Sequence, residues 1–460
     1  MATHPRQRRT HHAKSAAVAF ISLGCPRNLV DSEILISLIK DHHYRFVEEP
    51  EQGDIIIINT CTFIQEATEE TIDVILKAAA LKKQGRTKGV IVYGCFSQRY
   101  KDRLRALLPE VDAFLGVDCF DELPGAIEQV LQGKQCAIFS DHKRAKGYTL
   151  PTPVERSLTQ PHIAYLKISE GCLHRCTFCV IPDIKGPHRS RRMEEILKEG
   201  QFRIREQSVS ELVIIAQDTS TYGIDLYYDR ALPRLLRSLA QMALHKMWIR
   251  VLYLHPEGIS DELLRVFAEY PQLCRYIDIP IEHASDHILK RMGRTYNRQF
   301  LYTLIRKIRD TLPGVFLRSS VIVGFPGESE EDFEELRRFI ADISFERLGA
   351  FMYSKEEGAA ASLLENQIPE KTKQRRLDEV MRLQQEISRQ TCARFMGSEI
   401  EVLVDDYVAG ENLLLCRSEF DAPEVDGLVL VKNTEALPGE FITVRLVDTL
   451  EYDLIGERVR

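Results

Sequence analysis

The 460-residue sequence lacks any apolar stretch long enough to cross a membrane, since a spanning helix needs about 20 consecutive apolar residues. It also lacks the even set of cysteines expected of an extracellular disulfide scaffold, because eleven is an odd number and the chain is long. With 44% hydrophobic and 28% charged residues, the composition is typical of a soluble globular protein with two or three domains. We therefore expect a cytoplasmic protein with no membrane partner, whose reduced thiols include metal ligands.

The N-terminus imitates a secretory signal. Four basic side chains precede the apolar run 15–21, and Ser22-Leu23-Gly24-Cys25 follows in the order of a lipoprotein signal. The apolar run is short, however, and Ser22 stands where a lipoprotein signal would want leucine. We predict that the run is a strand and that the residues before Ala16 form a disordered basic tail.

A loop with three cysteines and no fourth one nearby is the most informative stretch. Cys172, Cys176 and Cys179 have the spacing C-x3-C-x2-C. Three thiolates can hold three irons of a cubane iron–sulfur cluster and leave the fourth iron open, as in a catalytic metal site. The alternative is a structural zinc site, which wants four ligands. His174, between the first two cysteines, is poorly placed to be the fourth.

Three other cysteines each follow an apolar run near the N-terminus. The runs 17–23, 55–58 and 89–93 are separated by helical segments, a pattern typical of buried parallel strands. The cysteines that follow them are Cys25, Cys61 and Cys95. Because the carboxyl ends of parallel strands share one sheet edge, we expect these thiols to converge and hold a second open cluster. The alternative for each is a buried core cysteine.

A second alternating series begins at residue 161 and predicts a partial parallel (β/α)-type barrel. Its predicted strands are 163–167, 212–216, 248–254, 276–279, 316–323 and 348–352. The three-cysteine loop follows the first strand, at the face where such barrels keep their chemistry. Gln217 follows the second strand on the same face. The turn from Gly324 to Gly327 follows the fifth, where glycines allow close approach to a ligand.

An arginine-rich stretch follows the three-cysteine loop. Arg189, Arg191 and Arg192 could pair with a carboxylate. The alternative is a solvated charge run.

The C-terminal part has a different character. Residues 370–396 are highly charged with apolar positions at helical spacing, which predicts a connecting helix. Short strand candidates at 400–404, 413–417, 427–431 and 441–447 predict a small antiparallel β-barrel. From residue 397 onward there are fifteen acidic and five basic side chains, a balance of −10 against −7 for the whole chain. Since phosphate neutralisation dominates nucleic-acid binding, this domain is expected to attract a basic protein rather than RNA. The alternative is an acidic surface that only aids solubility.

These motifs together resemble the radical S-adenosylmethionine (SAM) methylthiotransferases over nearly the whole chain. The resemblance rests on the cysteine loop, with an aromatic residue before its third cysteine, and on the order of the three domains. Within the family, segments 417–427 and 317–320 are similar to the branch that modifies a ribosomal protein. The resemblance implies an α/β protein with four parts. These are an N-terminal open parallel methylthiotransferase domain at 16–146, a radical SAM barrel at 161–369, a connecting helix at 370–396 and a TRAM-type β-barrel at 397–460.

The resemblance also implies the cofactors and their ligands. Cys172, Cys176 and Cys179 would hold a [4Fe-4S] cluster that cleaves SAM to a 5′-deoxyadenosyl radical. Cys25, Cys61 and Cys95 would hold an auxiliary [4Fe-4S] cluster that carries the sulfur. The residues predicted to contact SAM are Phe178, Gln217, Gly324 and Gly327. One SAM would methylate the sulfur. A second would start hydrogen abstraction from the β-carbon of an aspartate in small-subunit ribosomal protein twelve, a very basic protein.

Two other functions remain open from the residues. One is methylthiolation of a tRNA adenosine, against which the acidic terminal domain argues. The other is a non-enzymatic two-cluster electron carrier, although carriers normally have four cysteines per cluster. One position departs from the family pattern, because Glu282 stands where glutamine is expected before His283-Ala284-Ser285. The electron donor is left unassigned.

Overall fold

The computed structural model describes residues 16–141, 148–150, 156, 158–243 and 246–459. The predicted basic tail and half of the Pro-rich linker at 147–160 lie outside the described residues. The chain divides into two compact units, which meet in the sequence at Ser140 and Asp141. None of the described helices has the length and apolarity to cross a membrane.

The first unit is a parallel sheet flanked by helices. Its strands are β1 (Ala17–Ser22), β2 (Arg45–Val47), β3 (Ile55–Thr60), β4 (Gly89–Gly94), β5 (Ala113–Leu115) and β6 (Cys136–Ile138). Its helices are α1 (Pro26–Asp41), α2 (Gln65–Lys83), α3 (Cys95–Tyr100), α4 (Leu104–Leu107) and α5 (Leu123–Leu131). The strand order is β2-β1-β3-β4-β5-β6 and every pairing is parallel. The three predicted strands are therefore confirmed, and their apolar runs are buried because helices cover both faces.

The second unit begins with an incomplete barrel. Its strands are β7 (Ile163–Lys167), β8 (Ser169–Glu170), β9 (Arg189–Ser190), β10 (Glu211–Ile215), β11 (Trp248–Val251), β12 (Tyr276–Asp278), β13 (Phe316–Val323) and β14 (Arg347–Met352). Its helices are α6 (Ile181–Lys185), α7 (Met193–Arg205), α8 (Ile224–Tyr227), α9 (Leu232–Met242), α10 (Asp261–Glu269), α11 (Asp286–Arg291), α12 (Arg298–Thr311), α13 (Glu330–Ile343) and α14 (Glu370–Ala393). Six parallel strands form two sheets of three, in the orders β11-β10-β7 and β12-β13-β14, and β8 and β9 make a short antiparallel ribbon. The partial barrel predicted from the sequence is confirmed.

One predicted barrel strand ends early. The sequence predicted a strand over 248–254, but β11 stops at Val251. Tyr253 adopts a left-handed backbone conformation with φ of 63°, and its N–H donates to the Asp278 carboxylate at 2.9 Å. A β-ladder cannot continue through that conformation.

Helix α14 packs on the barrel instead of merely connecting two domains. The Lys373 ammonium donates to the carbonyl of Tyr353 at 2.8 Å, and the Gln384 amide donates to the carbonyl of Phe345 at 2.9 Å. Val380 is fully buried in the same core as the barrel strands. The predicted helix therefore also covers β14.

The chain ends in a closed five-stranded barrel. Its strands are β15 (Glu399–Val408), β16 (Leu413–Ser418), β17 (Val429–Lys432), β18 (Phe441–Thr449) and β19 (Leu454–Arg458). They close in the order β15-β16-β17-β19-β18. Strand β19 was not predicted from the sequence, and the predicted antiparallel pairing is only partly right because β17 and β19 pair in parallel. The short segment is interrupted by Gly456, which weakens its strand pattern.

A buried ionic network joins the two barrels of the second unit. The Glu211 carboxylate accepts hydrogen bonds from Arg250 at 2.6 Å and from Arg417 at 2.7 Å. Arg417 also donates to Asp405 at 2.5 Å, and Asp405 lies 3.1 Å from the imidazole of His162. Burial raises the pKa of Glu211, but the two guanidinium groups outweigh it and hold that pKa below its ordinary value. Each charge therefore depends on its partners, since an unpaired buried ion is costly.

We predict that Glu211→Gln lowers the free energy of unfolding by about 3–5 kcal/mol, because two buried guanidinium groups lose their carboxylate. The single tryptophan is a suitable probe, since Trp248 packs edge-on against Phe441 of the C-terminal barrel with ring centroids 5.0 Å apart. Urea unfolding followed by tryptophan fluorescence would measure the change. Because the pKa of Glu211 is depressed by folding, its contribution is present above the pKa of the unfolded chain and is lost as the pH falls through the folded value.

The matched control is Glu401→Gln. Glu401 pairs with Lys246 at 3.2 Å, but both side chains are exposed. Such a pair contributes about 0–1 kcal/mol, so this variant should unfold close to the parent. Equal effects of the two substitutions would contradict the role given to the buried network.

Candidate functional site

Three of the predicted site residues lie at the carboxyl ends of three adjacent strands in the first unit. Cys25 precedes α1 directly after β1, Cys61 follows β3, and Cys95 opens α3 after β4. The strand order changes direction between β1 and β3, which makes that edge a topological switch point, where open α/β sheets bind ligands. The sequence predicted this convergence from the strand pattern.

The backbone brings the first two of these cysteines close together. Gly24 has φ of 91°, and a Cβ added there would lie 2.7 Å from Cβ and 3.1 Å from Sγ of Cys61. A side chain at position 24 would therefore displace Cys61. Glycine is needed both for this conformation and for the close approach.

Asn28 fastens this edge from inside α1. Its amide donates to the carbonyls of Leu23 at 3.1 Å and Thr60 at 3.0 Å, and its side-chain oxygen lies 3.9 Å from Sγ of Cys95. The side chain thus contacts groups at the ends of three strands and is buried. Asn28 was not predicted as a site residue, and its only sequence signal is its position three residues after Cys25, in the first turn of α1.

The thiols at this edge differ in acidity. Burial raises the pKa of Cys25, but the Arg27 charge and nearby backbone N–H groups outweigh it and leave that pKa lowered. Burial and the neighbouring Cys25 raise the pKa of Cys61. The low pKa of Cys25 favours the thiolate, the form of cysteine that binds metals.

The C-x3-C-x2-C loop of the second unit is held at both ends and in its middle. The β8–β9 ribbon closes its base, where the N–H of Cys172 donates to the carbonyl of Gly186 at 3.3 Å. At the centre of the loop, the N–H of Thr177 donates to the carbonyl of Met292 at 2.9 Å. The Thr177 hydroxyl donates to the carbonyl of Arg291 at 2.8 Å. The carbonyl of Thr177 accepts from the N–H of Ala361 at 2.7 Å. The loop is therefore fixed to both of the segments beside it.

The three thiols of this loop affect one another electrostatically, since Cys172 and Cys176 both raise the pKa of Cys179. The N–H of His174 points at Sγ of Cys172 and the N–H of Ile181 at Sγ of Cys179, each at 3.4 Å. Burial raises the pKa of all three thiols, to about 11 for Cys172 and about 12 for Cys179. Iron would replace those protons, because a coordinating thiol is deprotonated. The donor set and the N–H···S contacts thus fit a cluster.

The contacts of His174 do not favour a metal-binding role for its imidazole. Its Nε2 lies 2.8 Å from the Asp218 carboxylate, and its ring stacks on His255 with centroids 3.9 Å apart. Burial lowers the pKa of His255 to about 3, so that ring stays neutral. Among the described residues, no three Cys, His, Asp or Glu side chains are grouped to hold a single metal ion.

The residues predicted to contact SAM have mixed surroundings. Phe178 packs against an apolar cluster that includes Met292 and Phe325. The Gln217 amide donates to buried Glu170, while its Oε1 is buried with no hydrogen-bond partner among the described residues. That unsatisfied oxygen is available to accept a hydrogen bond from a ligand.

The two glycines of the predicted turn have a structural role that the sequence did not reveal. Both have positive φ, and a Cβ at Gly324 would lie 2.3 Å from Lys373, while one at Gly327 would lie 2.9 Å from Arg291. The space beside the Cα atoms of both glycines is therefore occupied by protein side chains, those of Lys373 and Arg291.

The arginines at 189–192 do not form a uniform solvated run. Arg191 is buried and its guanidinium lies 2.9 Å from the Glu199 carboxylate, as one of the two interpretations expected. Arg189 is also buried, whereas Arg192 is exposed and precedes α7.

The fold and the cysteine loop define a class of protein. Residues 166–340 match the family model described as the radical SAM superfamily, residues 17–116 match the uncharacterized protein family UPF0004, and residues 396–459 match the TRAM domain. Among solved structures, the radical SAM methyltransferase TsrM from Kitasatospora setae is similar, with a TM-score of 0.54 and 13% identity, covering 73% of each chain. The cobalamin-dependent SAM radical enzyme OxsB gives a TM-score of 0.51 at 13% identity, over 82% of this chain and 56% of that one. These two likenesses show the fold alone.

Closer relatives identify the family. The ribosomal protein uS12 methylthiotransferase RimO of Lachnoclostridium phytofermentans is 44% identical over 95% of this chain and 99% of its own length. That of Pelotomaculum thermopropionicum is 43% identical over 96% and 99%. The chain belongs to the RimO family of radical SAM methylthiotransferases. It is thus an enzyme whose cofactors are SAM and [4Fe-4S] clusters, as the sequence analysis predicted.

We predict that Asn28→Asp lowers the free energy of unfolding by about 2–5 kcal/mol. A carboxylate cannot donate to the carbonyls of Leu23 and Thr60, so one partly buried and one buried acceptor lose this donor, at about 1–3 kcal/mol each. Urea unfolding of the cluster-free chain, followed by far-UV circular dichroism, would measure the change. Asn297→Asp is the matched control, because Asn297 only accepts, from the N–H of Phe300 at 2.9 Å, and aspartate caps a helix equally well. If both variants match the parent, Asn28 does not fasten the strand ends.

Proposed function

We propose that this enzyme methylthiolates the β-carbon of an aspartate in ribosomal protein uS12, in the cytoplasm. The observation that carries the proposal is the presence of two separate three-cysteine sets, one at the carboxyl ends of three parallel strands and one in the loop after β7 and β8. Neither set brings a fourth cysteine, so each would leave one iron open. Two open clusters suit group transfer better than electron storage, since carriers normally have four cysteines per cluster.

Cys172, Cys176 and Cys179 are the proposed ligands of the cluster that cleaves SAM. The cluster, when bound, supplies the electron for that cleavage. The protein fixes the loop through Thr177, which binds Met292, Arg291 and Ala361, and through His174, which binds Asp218. The amide groups directed at Sγ of Cys172 and Cys179 orient the ligands.

The SAM contacts proposed from the sequence are supported to different degrees. The buried, unpartnered Oε1 of Gln217 offers an acceptor for a donor group of SAM. Phe178 offers an aromatic face, although part of it already packs on apolar neighbours. Gly324 and Gly327 could contribute only backbone, because protein side chains occupy the space a Cβ would fill.

Cys25, Cys61 and Cys95 are the proposed ligands of the auxiliary cluster. The switch point between β1 and β3 supports this assignment, since that is where open α/β sheets bind their ligands. The lowered pKa of Cys25 also favours a metal-binding thiolate at this edge.

The exposed charge of the C-terminal barrel supports a basic protein as the substrate. Ten of its fifteen carboxylates are exposed. They are Glu399, Glu401, Asp406, Glu411, Glu424, Glu435, Glu440, Asp448, Glu451 and Glu457. A surface of this sign attracts a basic protein and repels RNA phosphates. The ribosomal protein is therefore favoured over a tRNA adenosine.

The experiment is anaerobic turnover of the iron–sulfur-reconstituted full chain with SAM, a reductant, small ribosomal subunits and bulk tRNA. Mass spectrometry of both products would locate the methylthio group. A gain on an aspartate of uS12 is expected. A gain on tRNA instead would keep the chemistry and overturn the charge argument, and SAM cleavage without any transfer would contradict the methylthiotransferase proposal.

We predict that Cys95→Ala still produces 5′-deoxyadenosine but transfers no methylthio group, whereas Cys176→Ala loses both activities. The two variants affect different proposed clusters, so their products should separate SAM cleavage from sulfur transfer. Cys136→Ala is the control, because Cys136 lies at the amino end of β6, away from the carboxyl-end edge, and should keep both activities. Normal methylthiolation by Cys95→Ala would refute the auxiliary-cluster role.

A further inference from the structure

Glu282 forms a largely buried ion pair with Arg294. The carboxylate and the guanidinium are 2.6 Å apart, with the two side chains 13% and 7% exposed. The backbone of Glu282 is held beside β13. Its N–H donates to the carbonyl of Ser320 at 3.0 Å, and its carbonyl accepts from the N–H of Ile322 at 2.7 Å. Its φ is 63°, a conformation that non-glycine residues keep only where the surroundings impose it.

This pair lies next to the C-x3-C-x2-C loop. The Arg294 guanidinium is 5.9 Å from the ring centroid of Phe178, which stands between the second and third cysteines. The segment just before Arg294 holds the loop, since Met292 accepts the hydrogen bond from the N–H of Thr177 at 2.9 Å.

The two charges act on a cluster in opposite directions. A guanidinium beside the loop stabilises the reduced cluster, which carries one more negative charge, and so raises the reduction potential. A carboxylate at 2.6 Å from that guanidinium opposes its effect, because it carries the opposite charge. Glutamine at position 282 could still accept a hydrogen bond from Arg294 but would leave its charge uncompensated.

We propose that Glu282 is a positioning residue that neutralises Arg294 beside the cluster loop, so that the cluster is reduced at a lower potential than it would be with glutamine. The inference rests on the proposed assignment of Cys172, Cys176 and Cys179 as cluster ligands. A lower potential makes the reduced cluster a stronger electron donor to SAM and demands a stronger reductant upstream.

The test is a redox titration followed by electron paramagnetic resonance. The full chain would carry Cys25→Ala, Cys61→Ala and Cys95→Ala in every sample, so that only the cluster in question is loaded. In this parent, Glu282→Gln should raise the ratio of reduced to oxidised cluster at a fixed potential by about tenfold, which corresponds to a positive shift of about 59 mV for one electron. Glu282→Asp keeps the charge and should stay near the parent.

The matched control is Glu346→Gln. Glu346 is also 13% exposed and pairs with an arginine, Arg309, at 3.0 Å, but it precedes β14 at the amino end of the barrel strands. It should leave the potential unchanged. Equal midpoint potentials for the parent and Glu282→Gln, or equal shifts in potential for the Gln and Asp variants, would overturn this inference. Either result would leave the proposed ligand assignment standing. A parent that binds no cluster would overturn the proposed ligand assignment and this inference with it.

Discussion

The parallel pairing of strands is the constraint on which both candidate sites depend. Hydrogen bonding between parallel strands aligns their carboxyl ends at one edge, so residues far apart in the sequence meet there. In the first unit this edge collects Cys25, Cys61 and Cys95 from β1, β3 and β4. In the second unit it places the loop after β7 beside the ends of β10 and β11, where Asp218 and His255 contact His174.

The sequence was informative where a site depends on local spacing or strand pattern. Three cysteines within eight residues can be recognised as possible metal ligands from their spacing, and the other three from their positions after apolar runs. The contacts that support those thiols were not predictable in the same way. Asn28 bonds to Thr60 across 32 positions, and Thr177 bonds to Arg291 across 114, because only the folded chain brings such partners together.

Two predictions show what a local sequence pattern does not reveal about a residue's neighbours in the fold. The glycines at 324 and 327 were expected to make room for a ligand, but the structure fills that space with Lys373 and Arg291. Glu282 looked like an unexplained extra charge until Arg294, twelve residues later, supplied its partner. In both cases a neighbouring side chain that the local pattern does not reveal determines the role of the residue. The missed strand β19 has the same cause, since its pairing with β17 is what makes it a strand.

Two groups of carboxylates in the C-terminal barrel differ in their sensitivity to ionic strength. Asp405, Asp421 and Asp426 pair with buried or partly buried groups outside the C-terminal barrel, namely His162, Arg347 and Tyr276. Mobile ions reach such pairs poorly, so salt screens them little. The ten exposed carboxylates are open to counterions over a Debye length of about 8 Å at physiological salt. Raising the salt concentration would therefore weaken the attraction of this barrel for a basic partner while leaving its attachment to the radical SAM barrel intact.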